Sequence, residues 1–350
     1  MSQRSTGNMM LIYEPCEKYL TGTEVQNGSM ITTNNASFPY NQPGETAAYE
    51  QQISKLWKFF LPNDRRPHGY LVESVVERMP WTEDFHVLPA PHKEIHLLPQ
   101  DHAREQETWT ERCERSLDAL IALARARGVF PRLGKPRDER FPIIGAQFPV
   151  SIERSAISLF GIVGRGVHMT VYTRTKYGLK IWVPQRNPKK STYPGMLDNA
   201  VAGGVAAGER PMDCLIREAE EEAGMEESMV RKAHAVGTVT WFNISDDRAG
   251  GEPGLMNPGL LYVYDLEVGP EVVLNPVDEE DVCAFHLMDV REVLDAMAEG
   301  KFKPASASVM VDFLVRHGLI TAEDDDDYPE IVSRLHRLLP FATSPTAGRT

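Results

Sequence analysis

The sequence predicts an α/β protein in two parts, a smaller α+β region followed by a unit layered α/β/α. Three observations carry this. The chain has 350 residues, enough for roughly two domains at about 150 residues each. The stretch SLDALIALARARGVF, 116–130, repeats its apolar residues at helical spacing and breaks at Gly128, amid shorter apolar pieces. Later the pattern becomes strand-rich, in the order strand, loop, helix, strand, helix.

Taken in order, residues 1–48 are rich in Ser, Thr, Asn, Gln and Gly and read as a poorly ordered lead-in. ISKLWKFFLP and GYLVESVVERM are amphipathic or buried pieces of an α+β domain over 49–155, and GKPRDERFPIIG is its Pro/Gly-rich connector. The second domain covers 156–322. GIVGRGVHMTVYTR and LKIWVPQR form a hairpin around Lys176-Tyr177-Gly178, and the loop RNPKKSTYPGMLDNAVAGG follows. Then come a helix over 211–223, strands near 234–244 and 259–267, and helices near 289–298 and 306–317. EDDDDYPE, 323–330, reads as a solvated loop, and 323–350 supplies a C-terminal helix and tail.

The totals exclude several classes. A hydrophobic share of 42% suffices for a core, and a net charge of −13 with no basic stripe argues against nucleic acid as a partner. Cys16, Cys113, Cys214 and Cys283 stand far apart, without zinc-ligand spacing, and read as free thiols in a reducing compartment. No secretory signal and no membrane span is seen, and Glu14 and Glu17 speak against a transit peptide. The expectation is a soluble, cytoplasmic protein of unknown oligomeric state.

The stretch GGVAAGERPMDCLIREAEEEAGM, 203–225, carries chemistry. Pro211 suits a first helical turn and Gly224 a left-handed stop. At about 100° per residue, Met212, Leu215, Ile216, Ala219 and Ala223 share one buried face. Glu218, Glu221 and Glu222, spaced i, i+3 and i+4, gather beside it and repel one another. A divalent cation with hard oxygen ligands would offset that repulsion. Glu220 points to solvent. Gly203, Gly204 and Gly208 permit close backbone approach to a ligand, Glu209 can swing toward the acidic face, and Arg217 can pair with a neighbouring glutamate.

Written out, the spacing is Gly203, five residues, Glu209, seven residues, then Arg217-Glu218-Ala219-Glu220-Glu221-Glu222-Ala223-Gly224-Met225. This resembles the box of the Nudix hydrolases, with Ala219 where that family has a larger aliphatic residue. The resemblance implies an α/β/α sandwich with a mixed sheet and metal-dependent hydrolysis of a substituted diphosphate. It implies Mg²⁺ or Mn²⁺ held by Glu218, Glu221, Glu222 and the Gly203 carbonyl, with Arg217 orienting the carboxylates and Glu209 steadying the loop. STYPGMLDNAVAGGVAAGE, EGKFKPASASVMVDFLVRHGLIT and YPEIVSRLHRLLPF resemble, more narrowly, a eukaryotic two-domain Nudix branch. That branch is related to the Nudix part of thiamine pyrophosphokinase fusions and acts on thiamine diphosphate and its oxidised derivatives. The usual connector tryptophan is missing here, and the stretch 241–260 is longer and richer in Gly and Pro than the branch leads one to expect.

Other residues have two readings each. Arg186, Lys189 and Lys190 meet substrate phosphates or are surface charge. Trp182, Tyr193, Trp241 and Phe242 stack on a ring or pack the core. Tyr193-Pro194-Gly195-Met196 is read as a binding segment, with Gly203, Gly204 and Glu209 beside it. Asp281, with Glu279 and Glu280, is a candidate base or an exposed turn. His317 is a stabilising helix end, and Phe302-Lys303-Pro304 a helix start that closes the pocket. The alternatives to a thiamine substrate are a nucleoside diphosphate derivative and a non-catalytic ligand-binding module.

Overall fold

The computed structural model describes residues 23–26, 29–32, 39–41, 44–99, 107–134, 136, 138–249 and 252–345. Most of the expected lead-in, Cys16 included, lies outside the described residues. Within it, β1 (Thr23–Gln26) and β2 (Ser29–Thr32) pair antiparallel, which its polar composition did not announce.

The next elements are α1 (Thr46–Ile53), β3 (Trp57–Phe60), β4 (Pro67–Leu71), α2 (Glu73–Arg78), β5 (Phe85–Leu88), β6 (Glu94–Leu97) and α3 (Trp109–Ala126). A sheet of order β4-β3-β6-β5 results, parallel between β3 and β6 and antiparallel elsewhere. The 116–130 helix is real but begins earlier, because Thr108 and Glu111 form a reciprocal capping box. Its stripe Leu117, Leu120, Ile121 and Ala124 is buried in one core with Phe59, Ile95 and Leu97 from the sheet. The connector forms a short hairpin, β7 (Arg140–Pro142) with β8 (Ser151–Glu153), followed by α4 (Ile157–Phe160). That core runs on to Ile162 and takes in Leu255 from far along the chain.

Asp64 ties this region down. It is buried, accepts from Arg66 Nη2 at 2.7 Å and meets His68 Nε2 at 3.0 Å, while Arg66 also donates to the carbonyls of Gly145 and Ser344. Burial works to raise the Asp64 carboxyl, but the hydrogen bonds from Arg66 and His68 win and hold it at about 2, against an ordinary 3.8. A depressed carboxyl stabilises the fold above its unfolded value and loses that contribution as pH falls through the folded one. The stability gap between the natural protein and Asp64→Asn is therefore expected to shrink as pH drops from about 4 to about 2. Urea melts across that window check it, and a gap that stays constant contradicts it.

The second part is built from β9 (Gly164–Thr175), β10 (Gly178–Arg186), β11 (Val201–Gly204), α5 (Pro211–Ala223), α6 (Glu227–Val230), β12 (His234–Ile244) and β13 (Met256–Glu267). It closes with β14 (Val282–Asp289), α7 (Val290–Ala298), α8 (Pro304–Arg316) and α9 (Tyr328–Leu335). The sheet order is β12-β13-β9-β10-β14, with β11 also on β9; only β13–β9 is parallel, so the sheet is mixed. Alternation along the strands sends Val167, Met169 and Val171 toward Leu215, Ala219 and Ala223 of α5. Tyr172, Ile181 and Val183 face the opposite way, onto α7, α8 and α9. The result is the expected α/β/α sandwich.

Several expectations need correction. β11 and β14 were not anticipated: VAGG lacks β-branched bulk beyond one valine, and β14 follows an acidic turn. In the stretch 241–260, residues 241–244 and 256–260 are the ends of two long paired strands, Ile244 opposite Met256. Trp182 and Phe242 are buried in cores and are not stacking platforms. EDDDDYPE is only partly solvated, since Asp325 is buried and accepts the Asp327 N–H, and α9 starts at Tyr328. His317 has a structural place, its Nε2 lying 2.9 Å from Asp265. No helix among the described residues is long and apolar enough to cross a membrane.

Candidate active site

α5 begins at Pro211 and ends at Gly224, whose φ of 59° is the left-handed stop; the Met225 N–H closes the end onto the Ala219 carbonyl at 3.1 Å. Its buried face is the expected one with Cys214 added, while Met212 and Ile216 are only partly covered. The helix therefore presents its acidic face to the preceding strand and loop.

Gly203 is the point of closest approach. A Cβ there would lie 2.1 Å from the Cδ of Glu218, so only glycine lets that carboxylate lie against β11. Glu218 is 16% exposed and accepts from Arg217 at 2.8 Å. Burial pushes its carboxyl upward, Arg217 opposes, and Glu221 adds to the rise. Glu222 accepts the Ala202 N–H at 3.2 Å. Burial first, then the neighbouring Asp198 and Glu218, push its carboxyl up to about 8. Glu221 is 59% exposed and reaches back to Arg217 at 3.4 Å; Glu220 is exposed, as expected.

Could these residues hold a divalent cation? Among the described residues, no three His, Cys, Asp or Glu side chains are already gathered as a cage. The donors are nevertheless hard oxygens, two of their carboxyls are pushed up by burial first and by neighbouring negative charge second, and the bare Gly203 lets Glu218 lie against the strand. In donor chemistry the set fits Mg²⁺ or Mn²⁺. Gly203→Ala is expected to leave the fold intact, because the displaced atoms belong to a flexible side chain, and to weaken Mn²⁺ binding by about tenfold or more. Electron paramagnetic resonance of added Mn²⁺ reads this directly, and unaltered affinity would count against the site.

Four of the residues expected to contact substrate are occupied inside the protein. Glu209 bonds Arg217 Nε at 3.0 Å and the Ala206 N–H at 3.0 Å, which closes the loop on itself. Burial alone would raise its carboxyl, but those partners hold it low. Gly208 takes the left-handed turn, with φ 81°. Gly204 lies under the Phe141 ring and is not open to a ligand. Arg186 donates to the Thr192 carbonyl at 2.9 Å and pairs with Asp198 at 3.1 Å, so it shapes its own loop. Tyr193 donates its N–H to the Arg248 carbonyl at 2.8 Å, and burial beside Asp246 drives its phenol upward. Lys190 meets Asp281, which makes that carboxylate a loop clasp in this structure.

Sequence reasoning missed Asp198. It is buried and accepts from Arg186, from Lys303 at 3.2 Å, from Ser306 and from the Asn199 N–H at 2.9 Å. Burial opposes ionisation, but Lys303 and its other donors hold the carboxyl well below the usual range. Nearby, His168 Nδ1 lies 2.6 Å from Asn199 Oδ1; burial and then Lys303 push its ring down to about 4, so it is neutral. The available signal was the polar pair Asp198-Asn199 just ahead of an apolar strand. The Lys303 N–H donates to the Leu197 carbonyl at 2.9 Å, which ties the start of α8 to the loop ahead of β11.

Against this geometry stands one family match: residues 164–310 match the NUDIX domain family. The chain carries a Nudix domain. It contains the whole glutamate loop and helix, and it begins at the first residue of β9. An uncharacterized protein of Saccharomyces cerevisiae is 36% identical over 215 residues, covering 59% of this chain and 63% of that protein. Nudix hydrolase 20, a chloroplastic protein of Arabidopsis thaliana, is 34% identical over 225 residues, covering 63% of this chain and 57% of that protein. The chain thus spans 57% to 63% of the length of these curated relatives. Both matches extend beyond the length of the Nudix domain. A solved structure from Deinococcus radiodurans aligns with 20% identity, over 57% of this chain and 100% of that one, at a TM-score of 0.35.

Proposed function

We propose that this chain hydrolyses a substituted diphosphate with the help of a divalent metal. The observation that carries the reading is the acidic face of α5 laid on β11: Glu218 lies against Gly203 and is bonded to Arg217, and Glu222 accepts the Ala202 N–H. Mg²⁺ or Mn²⁺, held by Glu218, Glu221, Glu222 and the Gly203 carbonyl, would neutralise phosphate charge and lower the pKa of a bound water. Arg217 aligns Glu218 and releases Glu221 when the latter turns inward. The Ala202 N–H fixes one oxygen of Glu222, and the other takes the proton of the attacking water.

For the substrate we favour thiamine diphosphate or an oxidised derivative, giving the monophosphate and phosphate, on the resemblance of the segments flanking the box. An open groove of about 1060 Å³, lined by Met196, Leu197, Phe285, Met288 and Lys301, is our candidate seat for the organic end; no residue of the acidic helix lines it. A groove of that size also admits a nucleoside, which is the specific support for a nucleoside diphosphate derivative as the second reading. Residues 49–155 are taken as a distinct region walling the site. The cytoplasm is the favoured compartment, given the free Cys113, Cys214 and Cys283.

Phosphate release with Mg²⁺ from thiamine diphosphate, its oxidised forms, ADP-ribose and NADH tests both readings. A thiamine form turning over fastest supports the first, and another diphosphate the second. No turnover on the whole panel removes the hydrolase reading and leaves a ligand-binding module.

A further inference from the structure

The region ahead of the Nudix domain touches the box loop at connected points. The Ala207 N–H donates to the Arg140 carbonyl at 2.8 Å, so β7 carries the loop alongside it. Arg140 is itself fixed, by the Ser151 carbonyl at 2.9 Å and Asp118 at 2.8 Å. The next residue, Phe141, lays its ring on Gly204, where a Cβ would come within 2.5 Å of its Cζ. Over that ring, 5.3 Å from its centroid, lies the guanidinium of Arg154. Arg154 is 45% exposed and paired at 2.6 Å with Glu139, itself partly exposed. Burial pushes Glu218 upward, Arg217 opposes this, and Arg154 adds to the opposition from the β7–β8 hairpin side.

The charges around the loop make this placement informative. Arg217 is bonded to Glu209 and Glu218, while Arg186 and Lys303 are bonded to Asp198. A diphosphate arriving among these carboxylates needs a cation that can face it from the open side. Arg154 has the planar fork that matches phosphate oxygens, and the Phe141 ring supports its plane. Its tie to Glu139 is a surface ion pair, which a phosphate can displace at small cost.

We propose that Arg154 is a phosphate-binding residue of the Nudix site, contributed by the region ahead of that domain, with Glu139 holding it in the free protein. This rests on the diphosphatase reading above. It gives the N-terminal region a direct part in substrate capture through Arg140, Phe141 and Arg154.

The test uses the full chain, Mg²⁺ and methylenediphosphonate, a diphosphate that cannot be hydrolysed, in titration calorimetry; Mn²⁺ binding alone is followed by electron paramagnetic resonance. Arg154→Ala is expected to weaken diphosphonate binding by about tenfold or more with Mn²⁺ affinity unchanged, and Arg154→Lys to recover part of the loss. Glu139→Gln, which frees the arginine without removing it, is expected to tighten binding by about twofold or more. Tight diphosphonate binding by the natural protein that neither Arg154→Ala nor Glu139→Gln alters overturns the inference and spares the metal site. A natural protein that binds neither Mn²⁺ nor diphosphonate overturns the diphosphatase reading, and the inference with it.

Discussion

Replacing Glu222 with glutamine is expected to cut turnover by about 10²–10⁴-fold while leaving the metal-free protein at least as stable as before. The two halves have one cause. Glu222 is held by the Ala202 N–H within reach of Asp198 and Glu218, where burial and like charge disfavour its ionised form. That same confinement suits it to bind a cation and receive a proton. Glutamine keeps the shape and the acceptor oxygen and has no ionised form for burial and like charge to oppose, a gain of about 1 kcal/mol or roughly 1–4 °C in Tm. Thermal melts in chelator, run beside phosphate release, check both halves. A variant that keeps its activity contradicts the catalytic half, and one that melts well below the natural protein contradicts the stability half.

The second large effect is on stability. Asp198→Ala should destabilise the protein by about 3–5 kcal/mol, the typical cost of leaving buried charge without its partner. One carboxylate, almost fully buried, satisfies Lys303, Arg186, Ser306 and the Asn199 N–H together. Through them it joins β10, the loop before β11 and the start of α8. Removing it strands an ammonium and a guanidinium at once. Lys303→Met combined with Asp198→Ala should recover part of the loss, because one orphaned charge is then gone. Denaturant melts of the single and double variants measure this, and a loss below about 1 kcal/mol for Asp198→Ala would mean that water replaces the carboxylate.

The box helix was legible in the sequence because its information is local. Pro211, Gly224 and the apolar spacing between them fix where α5 starts, stops and faces, whatever packs against it. The hairpin at Lys176-Tyr177-Gly178 was legible for the same reason, with Thr175 paired to Gly178. β14 was not, since a strand at a sheet edge is decided by the neighbour it pairs with, here β10 more than ninety residues earlier. Arg186 shows the limit most plainly. On the page it is a cation before a glycine-rich loop; in the fold it is spent on Thr192 and Asp198.

By itself, then, the sequence determined the acidic helix, its glycine-rich approach and the mixed α/β layering. The tertiary structure alone decided which carboxylates are tucked in and which stays out, that Asp198 is buried between Arg186 and Lys303, and that Phe141 reaches the loop from another region of the chain with Arg154 over its ring. The reason is physical. Helical spacing and turn propensity act between neighbours in sequence, whereas burial, charge pairing and the seating of a ring on a bare glycine depend on residues that only folding brings together.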